Sequence, residues 1–372
     1  MIPAVAWLAT LLSLLATSSA ALQCTTRLDC QLNGACEAGR CRCEASWAGR
    51  SCGRLVERES WQVAGGRDTT SWGATLLSTN QTSHTVLVSV LTHSCPLADW
   101  QTNSRLELLQ AERLAGPWRR AGLAVSTWSH NPAAIALADG SYGLFHVGRG
   151  VGPPDGGKHC SNALPAPEPG AWGGPGSIIH TARSPTGPWR PLQTSLSNCN
   201  NPAPWQHGNG TLFCVCGRDG GHTLLRAARL AGPWRAVAAL PRPDSPTTHY
   251  EDPFLWQDGS QGWHVLLHAY NTAEDRRQCA NSTVSAHLYS EDGLVWRAGA
   301  GPAYTTQLLL RDRRVTVSTR ERPSLVMDSA GRPSHLLTAV CTRPACPAGP
   351  PTGCVDCKLQ APDITIITRL GP

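Results

Sequence analysis

Residues 249–271, HYEDPFLWQDGSQGWHVLLHAYN, decide the fold. The apolar run 254–256 is followed by Asp258-Gly259 and then by a second apolar run, 263–269. Aromatic and branched residues on both sides of a glycine-containing turn predict a β-hairpin.

Two acidic residues, Glu251 and Asp252, stand directly before Pro253 at the start of this hairpin. The proline ring disfavours the helical region for the residue before it, so we expect Asp252 to be extended. Successive side chains of an extended strand point in opposite directions. Only one of the two carboxylates should therefore face a central cavity.

The same plan recurs three times along the chain. An X-Pro pair precedes a hairpin turn at Asn131-Pro132 with Asp139-Gly140, at Asn201-Pro202 with Asn209-Gly210, and at Arg322-Pro323 with Gly331. Hairpin units at roughly 40–70 residue spacing are typical of propellers, because one blade cannot bury both of its faces alone. Four such hairpins and the segment before His130 predict a mostly β protein with a five-bladed β-propeller over residues 60–372.

Composition supports this fold class and excludes some partners. The chain has 372 residues, 41% of them hydrophobic, and its 36 glycines and 29 prolines disfavour long helices. The net charge of +6 comes from scattered basic residues. Without a basic patch we predict no nucleic-acid partner.

The N-terminal residues 1–21 predict a secretory signal peptide. An apolar run at 5–16 precedes a stretch of small residues suited to cleavage. An uncleaved membrane anchor is the alternative, but the run is shorter than the roughly 20 apolar residues that a span needs. We expect a secreted protein, extracellular or associated with a cell wall, and no membrane span in the mature chain.

Six cysteines within residues 22–54 form a second unit, with the spacing C-x5-C-x5-C-x4-C-x-C-x8-C. Six cysteines allow 15 pairings, and the sequence does not choose among them. A zinc site is the alternative, but an exported chain favours disulfides. We predict no metal and no cofactor. The unit is too small to fold without cross-links, and we expect it to be independent of the propeller.

The spacing and the glycine and aromatic positions of this unit resemble an epidermal-growth-factor-like (EGF-like) module. The resemblance implies the pairs Cys24–Cys36, Cys30–Cys41 and Cys43–Cys52. It also implies a spacer or a binding site for an extracellular protein partner.

Ten further cysteines lie between Cys95 and Cys357. In an oxidising compartment they predict disulfides and essentially no free thiol, with a zinc site at Cys354 and Cys357 as the alternative. Three sequons suit an exported glycoprotein. They begin at Asn80, Asn209 and Asn281.

The hairpins, the G-P-W segments at 116–118, 187–189 and 232–234, and Glu-x-Pro at Glu251 resemble the five-bladed glycoside hydrolases of the arabinanase, β-xylosidase and invertase clan (families 43 and 32). In that clan three carboxylates from three blades meet at the centre of one face: a base, a residue that tunes the pKa, and a general acid. The resemblance implies that Glu251 is the acid. The two preceding blades offer Asn131 and Asn201 instead of carboxylates, and Asp68, Asp155 or Glu321 are the alternatives for a base.

Two functions follow from these residues. The first is a glycosidase acting on extracellular or cell-wall polysaccharide, with catalytic Glu251 and Asp252. The second is a catalytically degenerate propeller that binds glycan or acts in matrix adhesion, since amides can hydrogen-bond sugar hydroxyls but cannot serve as bases. The predicted substrate-binding residues are Asn131, Asn201, His130, His249 and Arg322. Each asparagine could instead cap its own turn.

Overall fold

The computed structural model describes residues 24–66, 68–79, 83–156, 160, 177–218, 220–271, 284–310, 312–341 and 363–372. The predicted signal peptide, the sequons at Asn80 and Asn281, and Cys354 and Cys357 lie outside these residues. Asn209 lies within them and is exposed in a hairpin turn. No described helix is both long enough and apolar enough to cross a bilayer.

The N-terminal unit contains one 3-10 helix and two small antiparallel sheets. These elements are η1 (Arg27–Cys30), β1 (Gly34–Glu37), β2 (Arg40–Cys43), β3 (Trp47–Ala48) and β4 (Arg54–Leu55). Its three disulfides join Cys24 to Cys36, Cys30 to Cys41 and Cys43 to Cys52. The pairing implied by the EGF-like resemblance is confirmed.

The rest of the described chain forms five sheets, which confirms the predicted five-bladed propeller. The propeller sequence begins with β5 (Glu57–Gly65), which belongs to the sheet of the fifth blade. Blade 1 contains β6 (Ser71–Thr79), β7 (His84–Leu91), β8 (Ser104–Ala111) and β9 (Arg119–Val125). Blade 2 contains β10 (His130–Ala136), β11 (Tyr142–Val147), β12 (Ser177–Ala182) and β13 (Arg190–Leu192). Between β7 and β8 lie η2 (Thr92–Ser94), η3 (Leu97–Asp99) and α1 (Trp100–Asn103).

Blades 3 and 4 repeat the four-stranded plan. Blade 3 contains β14 (Asn200–Gln206), β15 (Leu212–Arg218), β16 (Gly221–Ala227) and β17 (Arg235–Ala239). Blade 4 contains β18 (Thr248–Gln257), β19 (Trp263–Asn271), β20 (Ser285–Ser290) and β21 (Arg297–Ala298). The strands of blades 1 to 4 pair in chain order, so the X-Pro hairpins of blades 2 to 4 form the first two strands of their blades.

The fifth blade closes the ring. It contains β22 (Gln307–Leu310), β23 (Arg313–Thr316), β24 (Thr319–Met327), β25 (Pro333–Cys341) and β26 (Ile364–Leu370), and its strand order is β23-β22-β5-β26-β25-β24. Strand β5 pairs antiparallel with β26, with Trp61 opposite Ile367. This pairing joins the start of the propeller sequence to its end within one blade, which closes the ring.

The EGF-like unit packs on the propeller, contrary to the expectation of independence. Trp47 and Leu55 share one hydrophobic cluster with Trp256 and Tyr304 of the propeller. The Leu55 N–H also donates to the carbonyl oxygen of Ala303 over 2.7 Å. A unit this small has little core of its own, so it completes its core on the neighbouring blades.

The cysteine prediction needs one correction. Disulfides join Cys95 to Cys160 and Cys199 to Cys216, and Cys341 is also disulfide-bonded. Cys214, however, is a buried free thiol. Its neighbour two residues along β15 is already paired, so the expectation of no free thiol is wrong.

Candidate functional site

The first strands of blades 1 to 4 and strand β24 of blade 5 surround the propeller axis, since those of neighbouring blades contact one another. We call these five the first strands of their blades; they are β6, β10, β14, β18 and β24. Near its start each carries a register shift, typical of a β-bulge. Within each shift one residue has a positive φ. These residues are Gly73 (75°), Asn131 (57°), Asn201 (46°), Asp252 (54°) and Arg322 (59°). We call them the axial ring.

Hydrogen bonds connect the axial ring across blade boundaries. Asn131 Nδ2 donates to Asn201 Oδ1 over 2.8 Å, and Asn201 Nδ2 donates to Asp252 Oδ1 over 2.7 Å. Arg322 Nη1 donates to the same Asp252 oxygen and forms an ion pair with it. A Cβ on Gly73 would lie 2.8 Å from the Cβ of Arg322, so only glycine leaves room there. Hydrogen bonds thus link blades 2 to 5, and Gly73 of blade 1 packs against Arg322.

The observed conformation corrects the expectation that Asp252 is extended. This residue is not extended but left-handed, since the bulge places it outside the regular ladder. The bulge also changes the simple alternation of side chains. As a result Asp252, and not Glu251, belongs to the axial ring.

Two cavities flank the axial ring. A cavity of about 310 Å³ follows the axis between the first strands, and Asp252 and Arg322 contribute to its wall. A second cavity of about 480 Å³ lies between blades 3 and 4 at the end where the first strands begin. Asn201 and Glu251 both line this second cavity, which we call the blade 3–4 pocket.

Glu251 is the one carboxylate among the described residues that line the blade 3–4 pocket. It is half-buried, and its Oε1 accepts a hydrogen bond from the Tyr270 hydroxyl over 3.3 Å. The ring of His249 stacks on that of Tyr270 at a centroid distance of 5.4 Å. The pocket therefore combines a carboxylate with an aromatic pair, and ligand sites commonly have such a wall.

Basic and amide groups complete the wall of the blade 3–4 pocket. They are Asn198, Asn200, Asn201, Arg218, His222 and Arg242. Burial lowers the pKa of His222 to about 4, although the nearby Asp252 carboxylate acts in the opposite direction. His222 is therefore neutral at physiological pH.

The structure separates the predicted site residues into groups. His249 and Asn201 line the blade 3–4 pocket with Glu251. Asn131 and Arg322 belong to the axial ring. His130 is buried, with Nδ1 2.7 Å from Ser104 Oγ and its ring 5.1 Å from that of Trp100. His130 lines neither of the two cavities, and its contacts are those of a packed core residue.

The alternative carboxylates do not join Glu251. Asp155 is largely exposed and lies 3.8 Å from Arg105. Asp68 is exposed, and Glu321 is buried on β24. None of the three lines the blade 3–4 pocket.

One group near the site could offer ligands to a metal ion. Glu251, Asp252 and His268 each have a ligand atom within 4.8 Å of the others. Asp252 already pairs with the Arg322 guanidinium. That positive charge opposes a cation at the same carboxylate, so this donor set fits a metal poorly.

Comparisons with known proteins agree on the fold. No protein-family model matches the sequence, and no curated protein matches it. Among solved structures, a family 117 glycoside hydrolase from Zobellia galactanivorans has a TM-score of 0.52 at 13% identity, over 84% of this chain and 89% of that one. An exo-beta-1,3-galactanase from Phanerochaete chrysosporium, solved with beta-1,3-galactotriose, has a TM-score of 0.52 at 11% identity, over 83% and 64% of the two chains.

A protein of unknown function from Dyadobacter fermentans is also similar, with a TM-score of 0.51 at 13% identity over 85% of this chain and 98% of that one. At such identities the likeness establishes the fold alone. The chain is a five-bladed β-propeller with an N-terminal disulfide-rich module, and its structural neighbours include glycoside hydrolases.

Proposed function

We propose that this protein is a secreted, carbohydrate-binding propeller whose ligand is an oligosaccharide held in the blade 3–4 pocket. The observation that carries the proposal is the wall of this pocket, where the stacked His249 and Tyr270 stand beside Glu251 and several side-chain amides. Aromatic faces can pack on the apolar faces of sugars, while amides and carboxylates exchange hydrogen bonds with hydroxyls. The glycoside hydrolases among the structural neighbours support this ligand class.

The geometry favours binding over hydrolysis. An inverting glycosidase needs two carboxyl groups about 6.5–9.5 Å apart, one as acid and one as base. Glu251 has no second carboxylate across the pocket among the described lining residues. Asp252 is buried and is held by Asn201 and Arg322.

Binding can be tested with immobilised oligosaccharides followed by titration calorimetry on those that are retained. We expect Tyr270→Ala to weaken binding at least 10-fold, since it removes the aromatic surface and the hydrogen bond to Glu251. The matched control is Tyr142→Ala, a half-buried tyrosine on blade 2 that does not line the pocket. Equal binding by wild type and Tyr270→Ala would refute the placement of the site.

A glycosidase with Glu251 as general acid is the second candidate. Its support is the position of Glu251, half-buried in a pocket at the start of the first strand of blade 4. If wild type releases aryl groups from a panel of aryl glycosides, Glu251→Gln should abolish that release and leave binding within a few-fold. If Glu251→Gln were fully active while Asp252→Asn was inactive, the acid would have to be Asp252.

Secretion is part of the proposal because the described residues contain five disulfides for which both cysteines are described. Disulfides of this number are typical of exported proteins. Expression of the full chain in a eukaryotic host should yield protein in the medium, with residues 1–21 removed and a glycan on Asn209. Retention in the cytosol would contradict this part of the proposal.

A further inference from the structure

Blades 2 and 3 carry arginines at repeated positions where the third strand connects to the fourth. In each blade one arginine precedes the G-P-W segment and a second follows it. These arginines are Arg183 and Arg190 in blade 2, and Arg229 and Arg235 in blade 3. Because the strands of a blade are antiparallel, both connections lie at the end of the propeller opposite to the axial ring. Arginines that are scattered in the sequence therefore come together at one end of two neighbouring blades.

A groove of about 820 Å³ lies between these two blades, and Arg183, Arg190 and Arg229 line it. We call it the blade 2–3 groove. Much of its remaining wall is apolar and includes the half-buried side chains of Leu137 and Leu192. The groove has no described lining residue in common with the blade 3–4 pocket. It is therefore a second, separate candidate site.

The charges of the blade 2–3 groove are unbalanced. The one carboxylate among its described lining residues is that of Asp139. Hydrogen bonds from the hydroxyl and the backbone amide of Ser141 hold the pKa of Asp139 below its usual range, and the charge of Arg183 acts in the same direction. No ion pair of the described residues includes Arg183, Arg190 or Arg229. Three positive charges thus face one negative charge that its own turn already satisfies.

Acidic residues elsewhere in the chain do not restore the balance. Asp139 is the one acidic residue within two positions of any residue that lines the groove. The acidic residues outside the described ranges all fall, in sequence, between the second and third strands of a blade. They are Glu168, Asp219, Glu274, Asp275 and Asp356. The described strand ends that border these segments lie at the end of the blades that holds the axial ring.

A further pair of positive charges extends the basic surface along blade 3. Arg226 of β16 lies directly opposite Arg235 of β17, and both side chains are exposed. Like charges directly opposite each other destabilise a sheet, and no ion pair of the described residues offsets this repulsion. An anion between the two guanidinium groups would offset it. Blade 4 has Glu291 where blade 3 has Arg229, so the pattern of two arginines is not repeated there.

We propose that the blade 2–3 groove and the adjoining pair Arg226 and Arg235 bind a sulfated polysaccharide. A guanidinium presents N–H groups in a planar fork that matches the oxygens of a sulfate group. Sulfate esters project beyond the sugar ring, so they can reach the exposed arginines while an apolar face of the ring packs on Leu137 and Leu192.

A polymer fits this surface better than a single anion, because the positive charges continue from the groove to the arginine pair on blade 3. The choice of a polysaccharide over a nucleic acid rests on the proposed secretion, since nucleic acids are polyanions of the cell interior. The site itself does not depend on ligand binding in the blade 3–4 pocket.

The test compares dextran with dextran sulfate, two polymers that share a backbone and differ in their sulfate groups. Polygalacturonate, which carries carboxylates, and double-stranded DNA are measured beside them. Binding to the immobilised full chain is followed by biolayer interferometry at about 50 mM and about 300 mM NaCl, between which the screening length falls. We expect dextran sulfate to bind at least about 10-fold more tightly than polygalacturonate or DNA at low salt, and dextran not to bind. The affinity for dextran sulfate should fall at high salt.

Equal binding of polygalacturonate and dextran sulfate would overturn the choice of sulfate. Tighter binding of DNA would make a nucleic acid the partner and reject the polysaccharide. Loss of oligosaccharide binding by Tyr270→Ala concerns the blade 3–4 pocket alone, so failure of one proposal is distinguishable from failure of the other.

A triple variant tests the position of the site. Replacing Arg183, Arg190 and Arg229 by glutamine should weaken dextran sulfate binding at least about 10-fold, because it removes three charge-assisted contacts. All three side chains are exposed, so the thermal midpoint should equal that of wild type. The single variant Arg190→Gln should show a smaller loss in the same direction, and it gives a result even if the triple variant is unstable.

The matched control replaces Arg40, Arg54 and Arg297 by glutamine. These three arginines are exposed and do not line the groove, and the control removes the same number of positive charges. Arg297 begins the fourth strand of blade 4, as Arg190 begins that of blade 2. The control should change dextran sulfate binding less than about 3-fold. An equal loss in the two triple variants would show that binding depends on net charge alone and would overturn the site.

Discussion

Replacing Asp252 by asparagine should destabilise the propeller by about 3–5 kcal/mol, the usual loss when one member of a buried ion pair is removed. The side chains of Asp252 and Arg322 are only 4% and 10% exposed. Asparagine keeps an oxygen that can accept from Asn201, so the substitution mainly removes the negative charge. The Arg322 guanidinium would then be buried without its counter-charge.

The measurement is urea-induced unfolding at equilibrium, with the free energy of unfolding extrapolated to zero denaturant. The control is Arg332→Met, which breaks the ion pair of Arg332 with Asp328, whose side chains are 54% and 33% exposed. Exposed pairs contribute about 0–1 kcal/mol, so this variant should remain close to wild type. The two changes remove one charge each and differ in burial.

A double variant separates the ion pair from other effects of the substitution. Adding Arg322→Met to Asp252→Asn removes both charges, so the combined loss should be smaller than the sum of the single losses by about 0.5–3 kcal/mol. The structural argument for the axial ring would be refuted if Asp252→Asn cost less than about 1 kcal/mol, or if the two changes were additive.

Three further predictions concern other parts of the molecule. Trp47→Ala should lower the free energy of unfolding by about 3–5 kcal/mol, because Trp47 is 4% exposed in the core shared with the propeller. Arg42 is exposed, so the control variant Arg42→Ala should change the free energy of unfolding by less than about 0.5 kcal/mol. Burial lowers the pKa of His146 to about 3 and that of His180 to about 4, below the value of 6.5 in the unfolded chain. The stabilising contribution of these histidines should therefore be complete above pH 6.5, and the free energy of unfolding should fall towards pH 4 by about 1.4 kcal/mol per pH unit for each histidine. The double variant His146→Gln, His180→Gln should flatten this slope. Cys214 is buried and burial raises the pKa of its thiol, so the thiol should resist alkylation in the folded protein and react in urea without reductant. Peptide mapping measures the alkylation, and modification of Cys214 under native conditions would contradict its burial.

Local signals account for the part of the fold that was predicted correctly. Turns such as Asp139-Gly140 and Asn209-Gly210 depend on residues within the turn itself, and both connect the first two strands of a blade. Ring closure by β5 and β26 could not be predicted in this way, since its partners Trp61 and Ile367 lie at opposite ends of the propeller sequence. The packing of the EGF-like unit on blade 4 is likewise a long-range contact.

The sequence indicates site residues only at or near the X-Pro pairs that open the blades. Asn131 and Asn201 were found because they hold equivalent positions in two blades, whereas Gly73 has no following proline and was missed. Arg218 and His222 were also missed, because they lie at the facing ends of β15 and β16 without any motif around them. The conformation of Asp252 was predicted wrongly because the preference of residues before proline is local, whereas the bulge is set by the pairing of β18 with β19.

The neighbouring positions of Glu251 and Asp252 explain how one strand would serve both the stability of the axial ring and the proposed binding. The bulge in β18 turns Asp252 into the axial ring, where Asn201 and Arg322 hold it. Glu251, one residue earlier, stays on the wall of the blade 3–4 pocket beside Tyr270. Asn201 belongs to both places, since its amide donates to Asp252 while the residue lines the pocket. A ligand in the blade 3–4 pocket therefore lies against Asn201, a member of the axial ring. Because such a ligand binds the folded protein, it should also raise the thermal stability of the propeller.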